Sequence, residues 1–534
     1  MSADTKASTA QCCVAAQRYA MADDELFESI DPDIPLGKRV RQAYRDHGAS
    51  AAKSVLAEHY RSCAAPPGWV ALAGSPAASL DDRMREQAEL ALAHVYGGPA
   101  FETRPTHQFA SPINWLDNPT SKPPHEFDKQ WSMRFLAMPW WEALSRAYQA
   151  TGDERYASEF VAQFLDFRRQ HPMPLEPSAW DDRLPLKYTV PEWRTFEIAR
   201  RLLGSWTNSF FRFRHARAMT DEALCEMLKS FAEMAHHLDR FTPRAGGVSN
   251  NWTVLESLAL YTAGIFWPEF RQARVWKDHG EQRLLAQLDK QIYPDGVHWE
   301  LSPSYAMEVL QYYLRYIRLA QLNGEPIPDR VYAPVHRLAD SLAYSSVAGS
   351  IPAFGDGVHK DVQPVMEEML ELFPDRQDIR WIVTSGQQGQ APSMASCAFP
   401  YGGVYVMRSG WSGNDCAMVI TAGPHGVAHQ HEDCLSFELY AFGDWLIIDP
   451  GKYRYNYDSI WRQYMIGSLA HNTLAVDRMG QSRQGQPSTW VSRQPLPHRF
   501  EQGDDLVRFQ GIYSDGYGPD GHNRVGHVRS IYFL

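Results

Sequence analysis

The hydrophobic repeat of this chain changes once, near Pro392, and that change sets what it can fold into. Before it, apolar residues recur at helical spacing. In the stretch beginning at Asp221, Leu224, Leu228, Phe231, Ala235 and Leu238 share one face. From Ser304, Ala306, Val309, Leu310, Tyr313, Ile317 and Ala320 do the same, and the pattern stops at Gly324 with Pro326 just beyond. Trp131 to Gly152 reads as one helix, with the segment from Asp153 as its antiparallel partner. Short connections and no intervening strands predict helical hairpins stacked in an open ring or superhelix. After Pro392 the runs are short, β-branched and aromatic, bounded by Gly, Pro, Asn and Asp. Leu435, Phe437, Leu439 and Ala441 alternate with Ser436, Glu438, Tyr440 and Phe442, the period of a half-buried strand. His471 to Asp477 reads as a further strand. With 534 residues the chain exceeds one ordinary core. The expected organisation is a disordered extension over 1–37, a helical domain over 38–391 and an antiparallel β domain of stacked sheets over 392–534.

Composition narrows the function classes. A net charge of -11 argues against a nucleic-acid partner, while local His, Arg and Lys clusters leave an anionic sugar open. Aromatic residues make up 12%, including 17 Trp and 25 Tyr, which suits sugar-stacking platforms or a large aromatic core. Seven cysteines without regular spacing give neither a disulfide framework nor a Cys-x-x-Cys zinc signature, and fit a reducing compartment. The first residues lack a basic segment followed by an apolar core, and no apolar run is long enough to span a bilayer. The expectations are no membrane association and a cytoplasmic location, with the periplasm or cell envelope as the alternative. The last residues sit inside an apparent strand, which suggests a truncated β domain.

Several residues stand out for chemistry. In His429-Gln430-His431, a strand would place both imidazoles on one face. Asp449 and His471 lie at the ends of later apparent strands, so His431, Asp449 and His471 form a nitrogen and carboxylate set suited to Zn²⁺, or else are structural polar residues. Ser249-Asn250-Asn251-Trp252 leads into a helix containing Glu256, where an Asn is ordinarily just a cap. The turn-rich run from Asp295 through His298, Trp299 and Glu300 delivers Tyr305 to the start of a long helix. Phe354-Gly355-Asp356-Gly357 is a turn that serves equally as a connector.

Taken in order, these segments resemble the heparinase II/III-like polysaccharide lyases, which include heparan-sulfate, alginate and oligo-uronide lyases. The likeness runs from about Leu116 to the C-terminus. It implies an incomplete α/α toroid followed by a layered antiparallel β domain, with the catalytic cleft between them. It also implies that Asn251 neutralises a substrate carboxylate, Tyr305 acts as acid and also as base, His429 is its partner and Tyr453 lines the same cleft. Asn250, Trp252, Glu256 and Glu300 become substrate-binding positions, and His431, Asp449 and His471 a structural zinc site. Trp252 stands where several members of the family carry a catalytic His.

Such a lyase removes the C5 proton of a uronate and expels the O4 substituent, leaving a 4,5-unsaturated end. Hydrogen bonds to the carboxylate stabilise the enolate-like transition state, while a base takes the proton and an acid protonates the departing oxygen. A free Tyr titrates near ~10, so its use as a base needs a neighbouring His or Arg. Two alternatives remain at this point. A glycoside hydrolase on a helical toroid would need a carboxylate pair, with Asp295, Glu300 and Asp356 as candidates. A non-catalytic sugar-binding protein would account for the aromatics alone.

Overall fold

A computed structural model describes residues 18–72, 80–98, 103–123, 125–175, 191–242, 249–424, 429–455, 459–482, 494–503 and 505–534. The chain divides into two compact units, one comprising 1–245 with 255–283 and the other 246–254 with 284–534.

The first unit is built of helices. Helices Trp140–Thr151 and Glu154–Gln170 are joined through Gly152, whose left-handed conformation ends the first, and Asp153, whose side chain caps the second. Asp221–Phe241 starts at Thr220, whose side chain accepts the amide of Ala223. The aromatic excess goes largely into this core. Trp140, Trp141, Trp206, Trp267 and Trp276 are fully buried. The Trp141 and Trp206 rings lie 5.2 Å apart and those of Phe231 and Trp267 4.1 Å apart, distances at which aromatic pairs add stability beyond area burial. Gly280 allows a close helix crossing, because a Cβ there would lie 2.5 Å from the amide nitrogen of Tyr261.

Two expectations change here. The segment from Trp131 to Gly152 is two helices, Lys129–Leu136 and Trp140–Thr151. The break lies at Met138, with φ of 52°, and Pro139. Buried Arg201 stabilises it by donating to the carbonyl of Leu136 from Nε at 3.0 Å and Nη2 at 2.6 Å. The extension expected to be disordered over 1–37 is ordered from Arg18. Arg18–Tyr19 pairs with Met173–Pro174, and helix Asp23–Ser29 buries Leu26 and Phe27. Residues 1–17 lie outside the described residues.

The second unit contains a five-stranded antiparallel meander, β1 (Cys397–Phe399), β2 (Val404–Arg408), β3 (Ala417–Thr421), β4 (Ser436–Ala441) and β5 (Asp444–Ile447). A three-stranded sheet follows, β6 (Arg499–Gln502), β7 (Val507–Tyr513) and β8 (His527–Phe533). Alternation on β2 and β3 separates two cores. Val406 and Val419 pack with Tyr293, Val297, Trp299 and Phe354. Tyr405, Met407 and Ile420 pack with Phe509, Tyr513 and Tyr517. The segment from 284 to 383 therefore shares a core with the meander through the turns between its helices, so this division precedes the change of hydrophobic period near Pro392 by about a hundred residues.

Of the face that alternation pointed to, Leu435 and Ala441 are buried but Phe437 and Leu439 are only half-buried, while Ser436, Glu438 and Tyr440 of the opposite face are buried as well. Both faces of this strand are covered, and Glu438 is tolerated because Oε1 accepts the amides of Ala353 at 3.2 Å and Asp449 at 3.0 Å. Phe442, in the β4–β5 turn, is 89% exposed, as the alternation implied. His471 to Asp477 is irregular rather than a strand. Asn472 is held by its side-chain amide, which donates to the carbonyls of Phe437 and Ile448.

Candidate active site

Five loops of the second unit meet at one cluster. Asn250 caps helix Asn251–Phe266, its Oδ1 accepting the amide of Trp252 at 3.0 Å. Its carbonyl accepts from Gln291 Nε2 at 2.9 Å, and Gln291 Oε1 lies 3.0 Å from His298 Nε2. The Asn251 amide donates to Glu300 Oε1 at 2.9 Å. These bonds lace the Asn250-Asn251 turn to the loop that precedes Tyr305. Asn251 is 0% exposed, yet neither atom of its side-chain amide has a hydrogen-bond partner among the described residues. Leaving such a group unpaired costs about 1–3 kcal/mol, a cost expected at a binding position rather than in a structural cap.

Glu300 Oε2 lies 3.8 Å from His429 Nε2. Burial pushes the Glu300 carboxyl up to about 7, against His429 and the Asn251 amide, which favour its charge. His429 has φ of 74°, and its carbonyl accepts the amide of Asp356 at 2.8 Å. Its ring stacks on Tyr305 with centroids 3.6 Å apart and planes 10° apart. The Tyr305 hydroxyl meets that of Tyr455, which is 3.3 Å from His429 Nδ1. Burial pushes the Tyr305 phenol up, and the Tyr455 hydrogen bond lowers it only in part. The site therefore keeps Tyr305 protonated, which suits an acid; the expected help of a neighbour toward the phenolate is outweighed.

Asp356 anchors this group. Its Oδ2 lies 3.0 Å from His429 Nδ1 and its Oδ1 3.0 Å from His431 Nε2, while Arg462 binds both oxygens through its two terminal nitrogens. Burial alone would raise the carboxyl, but His429, His431 and Arg462 hold it well below the ordinary range. An ionised carboxylate only accepts. His429 Nδ1 is then the donor, and in the neutral ring Nε2 carries the open lone pair, on the Glu300 side.

The cluster thus gathers Asn251, Glu300, Tyr305 and His429. Tyr455, rather than Tyr453, is the tyrosine that touches Tyr305; Tyr453 lies beside Arg454, whose guanidinium is 5.4 Å from its ring centroid. Asn250 holds the turn through its carbonyl and side chain, and Trp252 is half-buried in the first helical turn. Glu256 falls in the first unit, where Oε2 accepts from Thr242 Oγ1 at 3.1 Å and burial pushes the carboxyl up to about 7 against hydrogen bonds from Thr195 and Thr242. Sequence reasoning missed Arg462 and Tyr455. The only signal for Tyr455 was its two-residue spacing from Tyr453, and an Arg in a seven-residue helix carries none.

The carboxylate pair needed by a hydrolase does not assemble. Asp295 Oδ2 accepts the amides of Tyr401 at 2.7 Å and Gly402 at 3.0 Å, and Asp356 is locked by Arg462.

The metal candidates gather differently from expectation. Ligand atoms of Asp433, Asp449 and His471 all lie within 4.8 Å of one another, and all three residues are buried. Asp449 Oδ2 is 2.7 Å from His471 Nδ1, and His471 Nε2 has no hydrogen-bond partner among the described residues. His431, expected in the set, is turned onto Asp356, although its ring centroid is 5.2 Å from that of His471. Two carboxylates, a buried imidazole nitrogen without a partner and a second imidazole close by fit a divalent cation.

Comparison with known proteins identifies the family. The family model for the heparinase II/III N-terminus matches residues 26–381, and that for the heparinase II/III-like C-terminal region matches 391–534. The chain belongs to the heparinase II/III family and is a polysaccharide lyase. It is 28% identical over 500 residues to a heparin-sulfate lyase of Pedobacter heparinus, covering 91% of this chain and 70% of the relative. It is 24% identical to a heparin-sulfate lyase of Bacteroides thetaiotaomicron, covering 96% and 73%. Among solved structures, a heparan sulfate lyase of Pedobacter heparinus matches with a TM-score of 0.64 and 26% identity, covering 96% of this chain and 77% of that one. A heparinase III structure matches with a TM-score of 0.81 and 20% identity, covering 96% and 78%, and shares the fold, the helical toroid followed by antiparallel β-structure. No helix among the described residues is long and apolar enough to cross a membrane.

Proposed function

We propose that the chain cleaves a uronate-containing glycosaminoglycan of the heparan type by β-elimination at the cluster around Tyr305. The observation that carries this reading is the stacked Tyr305–His429 pair beside the buried, unspent amide of Asn251. The Asn251 amide, helped by a Glu300 carboxyl that is part protonated near neutrality, hydrogen-bonds the uronate carboxylate and stabilises charge as C5 is deprotonated. His429 takes the C5 proton at Nε2, and Tyr305 donates its hydroxyl proton to the departing O4. The second role expected of Tyr305, as base, would need the phenolate, which burial at this site disfavours. The relatives named heparin-sulfate lyases support the heparan-type substrate. The protein acts without nucleic acid or membrane in this reading.

The cation in this proposal is Zn²⁺, held by Asp449 and His471 with His431 or Asp433. Its role is structural, fixing the irregular segments that present His429 and Tyr455. Bound there, it supplies rigidity rather than a Lewis acid at the substrate.

Ultraviolet absorbance during incubation with heparan sulfate, hyaluronan and alginate tests the function. The expected result is rising absorbance with heparan sulfate that is lost in Tyr305→Phe. New reducing ends without absorbance would replace the lyase reading with hydrolysis.

A further inference from the structure

We infer that Asp356 and Arg462 form a positioning pair that fixes the tautomer of His429 and the placement of Tyr455. The inference rests on the active-site reading above and adds two residues to it.

Asp356 is 2% exposed, and its two oxygens receive His429, His431 and both terminal nitrogens of Arg462. Such a two-pronged contact fixes the carboxylate plane as well as its position. The contact to Nδ1 makes that nitrogen the proton carrier and leaves Nε2 for the substrate, as a buried carboxylate does for the histidine of a Ser-His-Asp triad. Arg462, 3% exposed, also lies over the Tyr455 ring, 5.2 Å from its centroid. One guanidinium thereby sets the acceptor of His429 and the tyrosine that meets Tyr305. Two backbone features complete the arrangement. The Asp356 amide binds the His429 carbonyl, and Gly355, with φ of 62°, lies so close that a Cβ would come within 2.4 Å of that oxygen.

Three variants test the pair: Asp356→Asn, Arg462→Lys and the double substitution Asp356→Asn with Arg462→Gln. The double variant buries no unpaired charge, so it answers for a single variant that fails to fold. The expected result for Asp356→Asn and the double variant is a loss of about 100-fold or more in kcat, with KM changed less than about threefold. Arg462→Lys should recover only part of the activity, because one ammonium does not reproduce two parallel bonds. Nitrogen-15 NMR of the His429 ring provides a readout independent of turnover. The wild-type ring should be the Nδ1–H tautomer, and the double variant a mixture.

A double variant with kcat within about fivefold of wild type and an unchanged ring tautomer would overturn the inference. So would a kcat loss matched by loss of bound metal, since Asp356 would then act through the cation site. A wild type that gives no unsaturated product but shows the fixed tautomer would sink the proposed function while leaving the positioning pair intact.

Discussion

Asn251 and Tyr305 have different tasks, and their substitutions should fail differently. Tyr305→Phe keeps the stacked ring and removes only the hydroxyl. Its kcat should fall about 10²–10⁴-fold, the range for a lost acid or base, with an unchanged melting temperature. Asn251→Ala removes an amide that pays no structural hydrogen bond through its side chain, so stability should hold or rise while kcat falls; a loss of stability with kcat preserved would make Asn251 structural. Glu256 gives a pH prediction. Its folded carboxyl, pushed up to about 7 from 4.5, contributes stability that is present below 4.5 and lost as pH rises through about 7. Glu256→Gln does not titrate. Relative to wild type, its stability should gain up to about 3 kcal/mol between about pH 5 and about pH 8, measured by denaturant unfolding. A constant difference would show that Glu256 is not the buried acid described.

At this scale the motifs around Asn251, Glu300, Tyr305 and His429 were legible because each combines a turn with an unusual polar residue. The roles of Asp356 and Arg462 were not, since a contact between residues 106 apart in sequence leaves no local pattern.

Secondary structure was read correctly where one face of an element decides its burial. Pro303–Leu322 and Asp221–Phe241 are amphipathic helices close to their expected extents. Periodicity failed where tertiary contacts override it. The face of β4 that carries Ser436 and Glu438 is buried as well, because backbone amides from elsewhere satisfy Glu438. The single helix read across Pro139 ignored a breaker whose freed carbonyl is capped by Arg201, 65 residues away. The turn at Gly355 supplies the element-scale prediction. Gly355→Ala must relieve a 2.4 Å contact in a left-handed conformation, costing about 2–4 kcal/mol. It should lower the melting temperature and also reduce kcat, because the atom displaced is the His429 carbonyl. Thermal unfolding with steady-state kinetics checks both. For the proposed cation, chelation should lower activity and melting temperature together; activity lost at unchanged stability would give the metal a direct catalytic part.

For the molecule as a whole, the change from helix to strand near Pro392 was plain in the sequence, but the division into compact units was not. The turns that follow the helices after residue 284 contribute Val347 and Phe354 to the core under the meander, and hydrophobic period records secondary structure rather than which core a segment joins. The same unit supplies Asn251, Glu300, Tyr305, His429 and Tyr455, so the active-site cluster depends on that shared core. The central claim is that this cluster breaks a glycosidic link without water. Digestion of heparan sulfate in heavy-oxygen water, followed by mass spectrometry of the fragments, tests it most directly. Elimination predicts unsaturated ends, each lighter by one water than a hydrolytic end, and no heavy oxygen introduced by scission. Saturated ends with one heavy oxygen incorporated per cleavage would contradict it.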